Sequence, residues 1–432
     1  MSLGKYYVVG AGLAGLSVAT ALASRGATVE VMEAAPQAGG RCRSWFDGQL
    51  GEIIDNGNHL ILSGNNATLS YLQAIGAAAH LSGPKEACFA FCDLRSRRRW
   101  TVSLGDGRMP LWLFTPSRRV PDTSWRDYLR FARLLSGSSG RAVHEVVRCE
   151  GPVWEKLLRP LLLAALNIAP EHADAGLAAT VLRETVARGG AASLPRIASP
   201  NLAAAFIEPA LGFLRLQRVN IRFGERLRAI ETENSAASSL VFGAATLSLS
   251  SGDRVVLAVP PGVAAELLPG IAAPDQSSAI VNAHFRARAP ADAPQMLGLL
   301  GGTAEWLFSF PNRLSVTVSG ADGIVDRDRE DLARTLWHDV AAAHQLPPEL
   351  PPWQIVKEKR ATFRATPEQA AKRSGTHTPL RNLFVAGDWT ATGLPATIES
   401  AVRSGQKAAE AAMASVQNER RWAQRTFHGR AR

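Results

Sequence analysis

Hydrophobic and polar positions alternate in blocks at the start of the chain. An apolar run at 5–9 is followed by the glycine-rich stretch 10–15, and an alanine-rich helical pattern continues to about Ser24. A second apolar run at 28–32 is closed by Glu33. Short apolar runs of this kind are typical of buried strands, so the pattern predicts a strand–helix–strand unit of a parallel sheet.

The same kind of pattern returns later in the chain. Apolar runs predict further strands at 219–223, 227–232, 255–259 and 382–386. The last run precedes Gly387 and a helix predicted from about Pro395 to Ser415. One stripe of that helix carries only small residues, namely Thr397, Ala401, Gly405 and Ala408. We therefore expect this helix to pack closely against the first one.

The intervening stretches follow other patterns. A hairpin is predicted at 87–93 and 100–104, two strands at 306–310 and 314–319, and a helix at 329–344. An amphipathic helix is predicted over 125–135, where apolar residues recur at helical spacing and arginines occupy the other faces. Two interpretations of this helix and of the apolar run 109–114 stay open. They form either a buried core or an interfacial patch that rests on a membrane.

The composition limits the classes of protein to which the chain can belong. With 432 residues the chain is long enough for two folded units. Its net charge is +10, yet only seven of its 48 basic residues are Lys. The excess of Arg over Lys and the positive net charge have two interpretations: a coding bias toward Arg, or attraction to an anionic surface or ligand. No basic run is interleaved with stacking aromatics, which disfavours nucleic-acid binding.

Two further features bear on location. The four Cys are unpatterned, so neither a disulfide framework nor a metal site is predicted, and a reducing cytoplasm fits. The uncharged stretch from Tyr6 to Ser24 is interrupted by three Gly in a strand–turn–helix rhythm. We therefore interpret it neither as a signal peptide nor as a membrane span.

The glycine-rich stretch carries the first candidate chemistry, because its sequence is Gly10-Ala11-Gly12-Leu13-Ala14-Gly15. Gly10 permits a tight turn, Gly12 leaves room for a pyrophosphate, and Gly15 lets helix and strand pack closely. The N–H groups at the helix start, at Leu13 and Ala14, favour anionic phosphates. Glu33 can accept hydrogen bonds from ribose hydroxyls and would repel a 2′-phosphate. The motif predicts a dinucleotide site that disfavours NADP.

The next stretch carries a resemblance to a known family. Gly39-Gly40-Arg41 follows Glu33 and Ala34, and segment 8–41 resembles the opening of the FAD-dependent amine oxidase and phytoene desaturase superfamily. The resemblance implies non-covalent FAD, with Arg41 near the pyrophosphate. Segment 55–59, Asp55-Asn56-Gly57-Asn58-His59, resembles the part of that family beside the isoalloxazine ring. His59 is then either a proton donor or a hydrogen-bonded spacer.

The resemblance also implies roles for residues far along the chain. Asp388, after Gly387, would lie near the ribityl and pyrophosphate groups. Leu227 would contact adenine, and Pro260 would follow the strand that returns before the substrate domain. The N–H groups of Ala396, Thr397 and Ile398 would point at the flavin N1–C2 edge, where a helix N-terminus favours negative charge.

These elements together predict an α/β fold, with a Rossmann-like FAD-binding domain of the GR2 type and a discontinuous mixed α+β substrate domain. The FAD-binding domain is predicted at 1–85, 205–275 and 360–432. The substrate-binding domain, with a helical cap, is predicted at 86–204 and 276–359.

Two runs narrow the resemblance further. Segments 157–167 and 387–405 closely resemble the hydroxysqualene dehydroxylase family, the squalene-associated FAD-dependent desaturases of bacterial hopanoid synthesis. In the segment 211–220 the chain departs from the family, because the Gly that the family places just ahead of the adenine strand is missing. The resemblance implies an apolar C30 isoprenoid substrate and reduction of 12-hydroxysqualene to squalene. Protonation and loss of the allylic hydroxyl leave a delocalised cation, which a hydride quenches; His59 is the candidate acid.

Three alternatives stay open at this point. An amine oxidase is disfavoured, because the chain has no Lys from Leu157 to Val356 and no Tyr after Tyr128. A carotenoid desaturase would remove hydride from its substrate, whereas a dehydroxylase requires reduced FAD. A flavin-containing lipid carrier or assembly partner would bind flavin without redox change. The protein is expected in the cytoplasm or peripherally on the inner face of the membrane, and association with squalene-pathway enzymes stays open.

Overall fold

The computed structural model describes residues 4–107, 109–243 and 245–429, with side chains up to residue 417. Its strands are β1 Tyr6–Val9, β2 Val29–Glu33, β3 Ser44–Asp47, β4 Glu52–Asp55, β5 Leu60–Leu62, β6 Leu81–Ser82, β7 Cys88–Asp93, β8 Arg99–Ser103, β9 Pro195–Ala198, β10 Asn220–Phe223, β11 Leu227–Glu233, β12 Ala236–Phe242, β13 Ala245–Ser248, β14 Arg254–Leu257, β15 Ser277–Phe285, β16 Met296–Leu300, β17 Trp306–Ser309, β18 Leu314–Val318, β19 Trp353–Phe363 and β20 Leu383–Val385. Its α-helices are α1 Leu13–Ala23, α2 Asn66–Ala74, α3 Trp125–Leu129, α4 Val143–Val146, α5 Arg159–Leu166, α6 Ala175–Glu184, α7 Glu208–Leu216, α8 Pro261–Leu267, α9 Arg329–His344, α10 Pro367–Ala371 and α11 Ile398–Gly429.

A five-stranded parallel sheet joins distant parts of the chain in the order β10-β2-β1-β14-β20. One of its faces is covered by α1, α7 and α11, whose apolar side chains share a core with β1 and β2. Its other face packs on α5, α6 and the antiparallel sheet β11-β12-β13. Covered on both faces, β1 and β20 are apolar and buried along their whole length, which explains the unbroken apolar runs at these places in the sequence, whereas β10 lies at the sheet edge and is partly exposed.

The first and last helices approach each other as the small-residue stripe predicts. A Cβ added to Gly405 of α11 would lie 2.5 Å from the Ala14 carbonyl oxygen of α1. The Ser17 hydroxyl donates to the Val402 carbonyl at 3.0 Å. The prediction that these helices pack closely is confirmed, and glycine at 405 is what lets their backbones meet.

A seven-stranded sheet, of order β19-β15-β18-β17-β16-β7-β8, forms the second layer. One face packs against α9 in an aliphatic core. The other face carries a cluster that includes Phe89, Phe91, Trp100, Trp306 and Phe308. β19 crosses residue 360, where the sequence placed a domain boundary.

Two predicted helices differ from the structure. The predicted helix 125–135 is wrong in length, because α3 ends at Leu129 and a 3₁₀ turn follows at Ala132–Ser136. This break turns Phe131 and Leu134 into the core beneath. The predicted start of the last helix at Pro395 is also wrong, since α11 begins at Ile398. The Thr397 hydroxyl accepts from the Ser400 N–H at 3.1 Å and so caps the helix three residues later.

Candidate active site

The glycine-rich loop between β1 and α1 has the shape of a phosphate cradle. Gly10 has φ +106°, and a Cβ there would lie 2.4 Å from the Ala258 carbonyl oxygen. A Cβ at Gly15 would lie 1.9 Å from the Gly10 carbonyl oxygen. A Cβ at Gly12 would meet no protein atom within 4 Å, and no side chain caps α1. Gly10 and Gly15 therefore serve the fold, whereas Gly12 leaves an open surface for a ligand at the helix N-terminus.

Glu33 stands beside this loop at the end of β2. Its carboxylate accepts from the N–H of Ala11 at 2.6 Å and from the N–H of Ala35 at 2.8 Å, and Ala34 lies between Glu33 and Ala35 in the chain. The segment before β11 also reaches this point, because the Glu225 N–H donates to the Glu33 carbonyl at 2.8 Å. Leu227 follows two residues later and is buried. A carboxylate has lone pairs beyond these two bonds, so it can still accept from ribose hydroxyls.

The Gly-Gly-Arg segment and the C-terminal motif meet at the same loop. Gly39 pairs with Gly12 in an isolated bridge, and its N–H donates to the Ala11 carbonyl at 2.9 Å. The Arg41 guanidinium donates to Asp388 at 2.8 Å and also to the Ala361 carbonyl. Asp388 is buried, and its charge raises the pKa of Arg41. Two residues 347 positions apart thus form one ion pair beside the cradle.

The segment 55–59 lies against the seven-stranded sheet. Asn282 of β15 donates to the Asn56 carbonyl at 3.2 Å, and Asn58 donates to the Thr317 hydroxyl of β18 at 3.1 Å. The Thr317 hydroxyl in turn donates to the Asn282 side-chain oxygen at 2.8 Å. A Cβ at Gly57 would lie 2.9 Å from the Asn282 amide nitrogen, so this approach requires glycine.

Two buried amide oxygens of this segment lack a partner. Among the described residues, the side-chain oxygens of Asn56 and Asn58 accept no hydrogen bond. An orphaned buried acceptor is costly, so a donor on a ligand is expected to satisfy it. The open cradle at Gly12, the Arg41–Asp388 pair and these acceptors fit a dinucleotide whose polar ring lies along 56–58.

His59 follows at the same edge. Burial lowers the pKa of its imidazole to about 4, and the nearby Arg41 charge contributes. No protein atom of the described chain hydrogen-bonds to the ring. At neutral pH the imidazole is therefore mostly uncharged. Its two predicted roles, proton donor and hydrogen-bonded spacer, both stay predictions.

The remaining predicted residues lie at the edges of this arrangement. The Gly387 N–H donates to Ser404 at 2.9 Å, which anchors the loop before Asp388 to α11. Ala396 and Thr397 precede α11, and Ile398 packs in the core shared with α1. Pro260 is exposed just before α8, and its carbonyl accepts from the Ala264 N–H at 2.9 Å.

The sequence missed several residues of this site. Asn282, Thr317 and the buried His284 come from strands whose register no local pattern reveals. Arg373 was also missed; its guanidinium donates to carbonyls of Asp388, Trp389 and Thr390 and holds that loop. For Asn282, His284 and Thr317 the one signal was an unusual set of polar residues within strands that are otherwise apolar, whereas Arg373 lies outside the strands.

Comparisons with known proteins place the chain. A family model described as flavin containing amine oxidoreductase matches residues 13–413. The hydroxysqualene dehydroxylase of Rhodopseudomonas palustris is 50% identical over 95% of this chain and 98% of its own length. The chain belongs to the hydroxysqualene dehydroxylase family. Another member, from Sinorhizobium fredii, is 48% identical over the same shares of the two chains.

More distant comparisons agree on the fold. A probable zeta-carotene desaturase of Synechococcus elongatus is 23% identical over 94% of this chain and 97% of its own. The cyclohexylamine oxidase of Brevibacterium oxydans has a TM-score of 0.69 at 16% identity, covering 96% of this chain and 99% of its own. The structural neighbour confirms the predicted Rossmann-like fold, and the family membership confirms the FAD cofactor and an FAD-dependent oxidoreductase. The residue roles given above stay predictions.

Proposed function

We propose that the protein is an FAD-dependent dehydroxylase that reduces hydroxysqualene to squalene. The observation that carries this proposal is 50% identity to a hydroxysqualene dehydroxylase over nearly the whole chain. The carotenoid desaturase alternative has only a relative at 23% identity. In the reaction the allylic C–O bond breaks, a C–H bond forms, the hydroxyl leaves as water with one added proton, and FADH₂ is oxidised to FAD.

Reduced FAD, when bound, supplies the hydride. The residues of the chain have three tasks: to hold the cofactor, to exclude water and to donate a proton. The cradle at Gly12, Glu33 and the Arg41–Asp388 pair would hold the cofactor. The aromatic face of the seven-stranded sheet keeps water away from an allylic cation. A proton donor must lie within hydrogen-bond reach of the hydroxyl.

The assay is an anaerobic incubation of purified protein with reduced FAD and hydroxysqualene. We expect one squalene per reduced flavin consumed, and none with oxidised FAD. Polyenes formed from a saturated precursor with oxidised flavin would instead indicate a desaturase, and an aldehyde formed from an amine would indicate an amine oxidase. Bound flavin that no polyprenoid oxidises or reduces would indicate a lipid carrier.

His59 is the proposed proton donor. Its low pKa means that the protonated fraction grows as the pH falls from neutral toward 4, so turnover should rise in the same direction. His59→Gln with FAD retained should lower turnover about a hundredfold. Single-turnover oxidation of the reduced flavin between pH 5 and 8, about the range over which an unperturbed His changes its charge, measures both effects.

Glu305 is the comparison for this test. It is partly buried beside β17, and burial raises the pKa of its carboxyl to about 7. Its carboxylate accepts from the Ser319 N–H at 2.8 Å, a bond that Gln can keep. Near-normal rates in His59→Gln together with a large loss in Glu305→Gln would move the proton to Glu305 and leave His59 as a spacer.

We also propose that the protein docks peripherally on an anionic membrane. No helix in the described ranges is long and apolar enough to cross a bilayer. Exposed apolar side chains are concentrated on the segment 109–135, at Met109, Leu111, Phe114, Trp125, Leu129 and Leu135. Phe114 lies in the short 3₁₀ helix Leu111–Phe114 and Trp125 lies in α3. Their rings are 5.8 Å apart, so these two short helices form one patch. Exposed arginines border it at 118, 126, 130 and 133, which supports contact with anionic headgroups.

Replacing Leu111, Phe114 and Leu129 with Ser should weaken binding to phosphatidylglycerol vesicles at least tenfold, because each apolar group loses its burial in the interface. Vesicle co-sedimentation measures this. The matched control replaces Phe46, Ile53 and Leu216, which are equally exposed elsewhere, and should bind as the unaltered protein does. Equal vesicle binding by all three proteins would refute docking through this patch.

A further inference from the structure

A single row of paired residues crosses six strands of the seven-stranded sheet. The register pairs Asn282 with Thr317, Thr317 with Trp306, Trp306 with Gly298, Gly298 with Phe91, and Phe91 with Trp100. Residues opposite each other on neighbouring strands point to the same face. This crossing row therefore lines one face over roughly 24 Å, at about 4.8 Å per strand.

The two ends of the crossing row differ in chemistry. At one end, Thr317 and Asn282 hydrogen-bond to each other and to the segment 56–58, where we place the flavin ring. From Trp306 onward the residues of the row are aromatic, with the exception of Gly298. Phe91 lies 5.7 Å from Trp306 and 5.6 Å from Trp100, measured between ring centroids. The row thus leads from a polar corner along a hydrocarbon-like floor.

Gly298 makes this floor continuous. A Cβ there would lie 2.5 Å from the Phe91 ring and 3.3 Å from the Trp306 ring. The two rings fill the space that a side chain would take.

The aromatic end of the row is covered by the segment 109–135, which is proposed above to dock on the membrane. Trp112 and Tyr128 belong to the same cluster as Trp100 and pack edge to face at 5.4 Å. Their neighbours Leu111 and Leu129 are exposed on the outer side. The same two short helices therefore separate the aromatic floor from the surface proposed to meet the membrane.

Trp306 has an unmet hydrogen-bond donor at the boundary between the two ends. It is only 4% exposed, and its indole N–H has no partner among the described residues. An indole nitrogen can only donate, so an oxygen acceptor is needed. Leaving such a donor unmet is costly, and the indole N–H groups of Trp100 and Trp112 in the same cluster also have no partner among the described residues. Of these three residues only Trp306 is paired across the sheet with Thr317, where a substrate would pass from the aromatic floor to the flavin.

We propose that Trp306 binds the hydroxyl oxygen of the substrate, while the polyprenyl chain lies along the crossing row. This rests on the proposed function, which supplies a substrate with one oxygen atom on an otherwise apolar chain. The indole N–H donates to that oxygen and sets the carbon that carries it beside the polar corner. Trp306 is then the residue that distinguishes the alcohol from the hydrocarbon product, which has no acceptor.

The test compares binding of hydroxysqualene and squalene to the holoenzyme with oxidised FAD, in which no reduction can occur. Perturbation of the flavin absorption spectrum measures both affinities. The unaltered protein should prefer the alcohol about tenfold, the effect of one buried hydrogen bond. Trp306→Phe should lose this preference by weakening only the binding of the alcohol.

Trp337→Phe is the matched control. Trp337 is also buried with an unpartnered indole N–H, but it packs against Phe285 on the opposite face of the sheet. Its replacement should leave the preference intact.

Three results would overturn the inference. They are equal weakening of both ligands in Trp306→Phe, an unchanged preference in that variant, or no preference in the unaltered protein. The preference of the unaltered protein is measured without any variant, so this result does not depend on whether a variant folds. Failure of the unaltered protein to form squalene under anaerobic conditions would instead refute the proposed function, independently of these affinities.

Discussion

Replacing Gly12 with Ala should give a folded protein that has lost FAD. A Cβ at this position meets no protein atom within 4 Å, and Gly12 has an ordinary φ of −70°. The added methyl group would instead occupy the space where the pyrophosphate approaches the first turn of α1. We expect the affinity for FAD to fall at least a hundredfold, measured by titrating the apoprotein with FAD.

The control for this experiment is Gly212→Ala in α7, where an added Cβ also meets nothing. It should keep full FAD affinity and gain up to about 1 kcal/mol of stability, because Ala favours a helix. Gly15 would be a poor choice, since its Cβ would clash with the Gly10 carbonyl and confound binding with folding. Normal FAD binding by Gly12→Ala would mean that the cofactor does not cross this loop.

Replacing Gly298 with Val should have the opposite signature, with FAD retained and the substrate excluded. The new side chain would force apart the rings of Phe91 and Trp306 and break the floor along which the chain lies. We expect kcat/KM for hydroxysqualene to fall about a hundredfold, and stability to fall by about 1–3 kcal/mol from overpacking. Anaerobic steady-state kinetics and flavin content measure the two effects.

Gly323→Val is the comparison, because a Cβ at Gly323 meets nothing and this residue lies outside the crossing row. It should retain its kcat/KM. An unchanged kcat/KM in Gly298→Val would place the isoprenoid away from the aromatic face of the sheet.

The local part of the cofactor site was predictable from the sequence. The tight turn at Gly10, the open position at Gly12 and the acid at Glu33 follow one another within a short segment, so spacing alone orders them. The structure adds that Glu33 is hydrogen-bonded to the loop itself. Short-range geometry is encoded locally, which is why the strands and α1 also matched the hydrophobic pattern.

Tertiary relationships were not predictable in the same way. The sequence named Arg41 and Asp388 but not their ion pair, and it named His59 without the low pKa that burial and Arg41 produce. The sequence did not predict that Trp306 and Thr317 lie side by side on one face of the sheet, because this depends on the register of β17 against β18. The start of α11 was misplaced because the Thr397 cap outweighed the proline signal.

The ion pair between Arg41 and Asp388 has a consequence for how the protein is made. The ribosome must add almost 350 residues after the first half of the pair emerges. At about 5–20 residues per second, this takes roughly 20–70 s. For more than half of that interval β1 lacks its neighbour β14, and β14 lacks β20 until almost the end of it. A newly made chain therefore cannot complete its FAD site until its last segment has been synthesised. Until then an unpaired strand edge is accessible to chaperones and proteases.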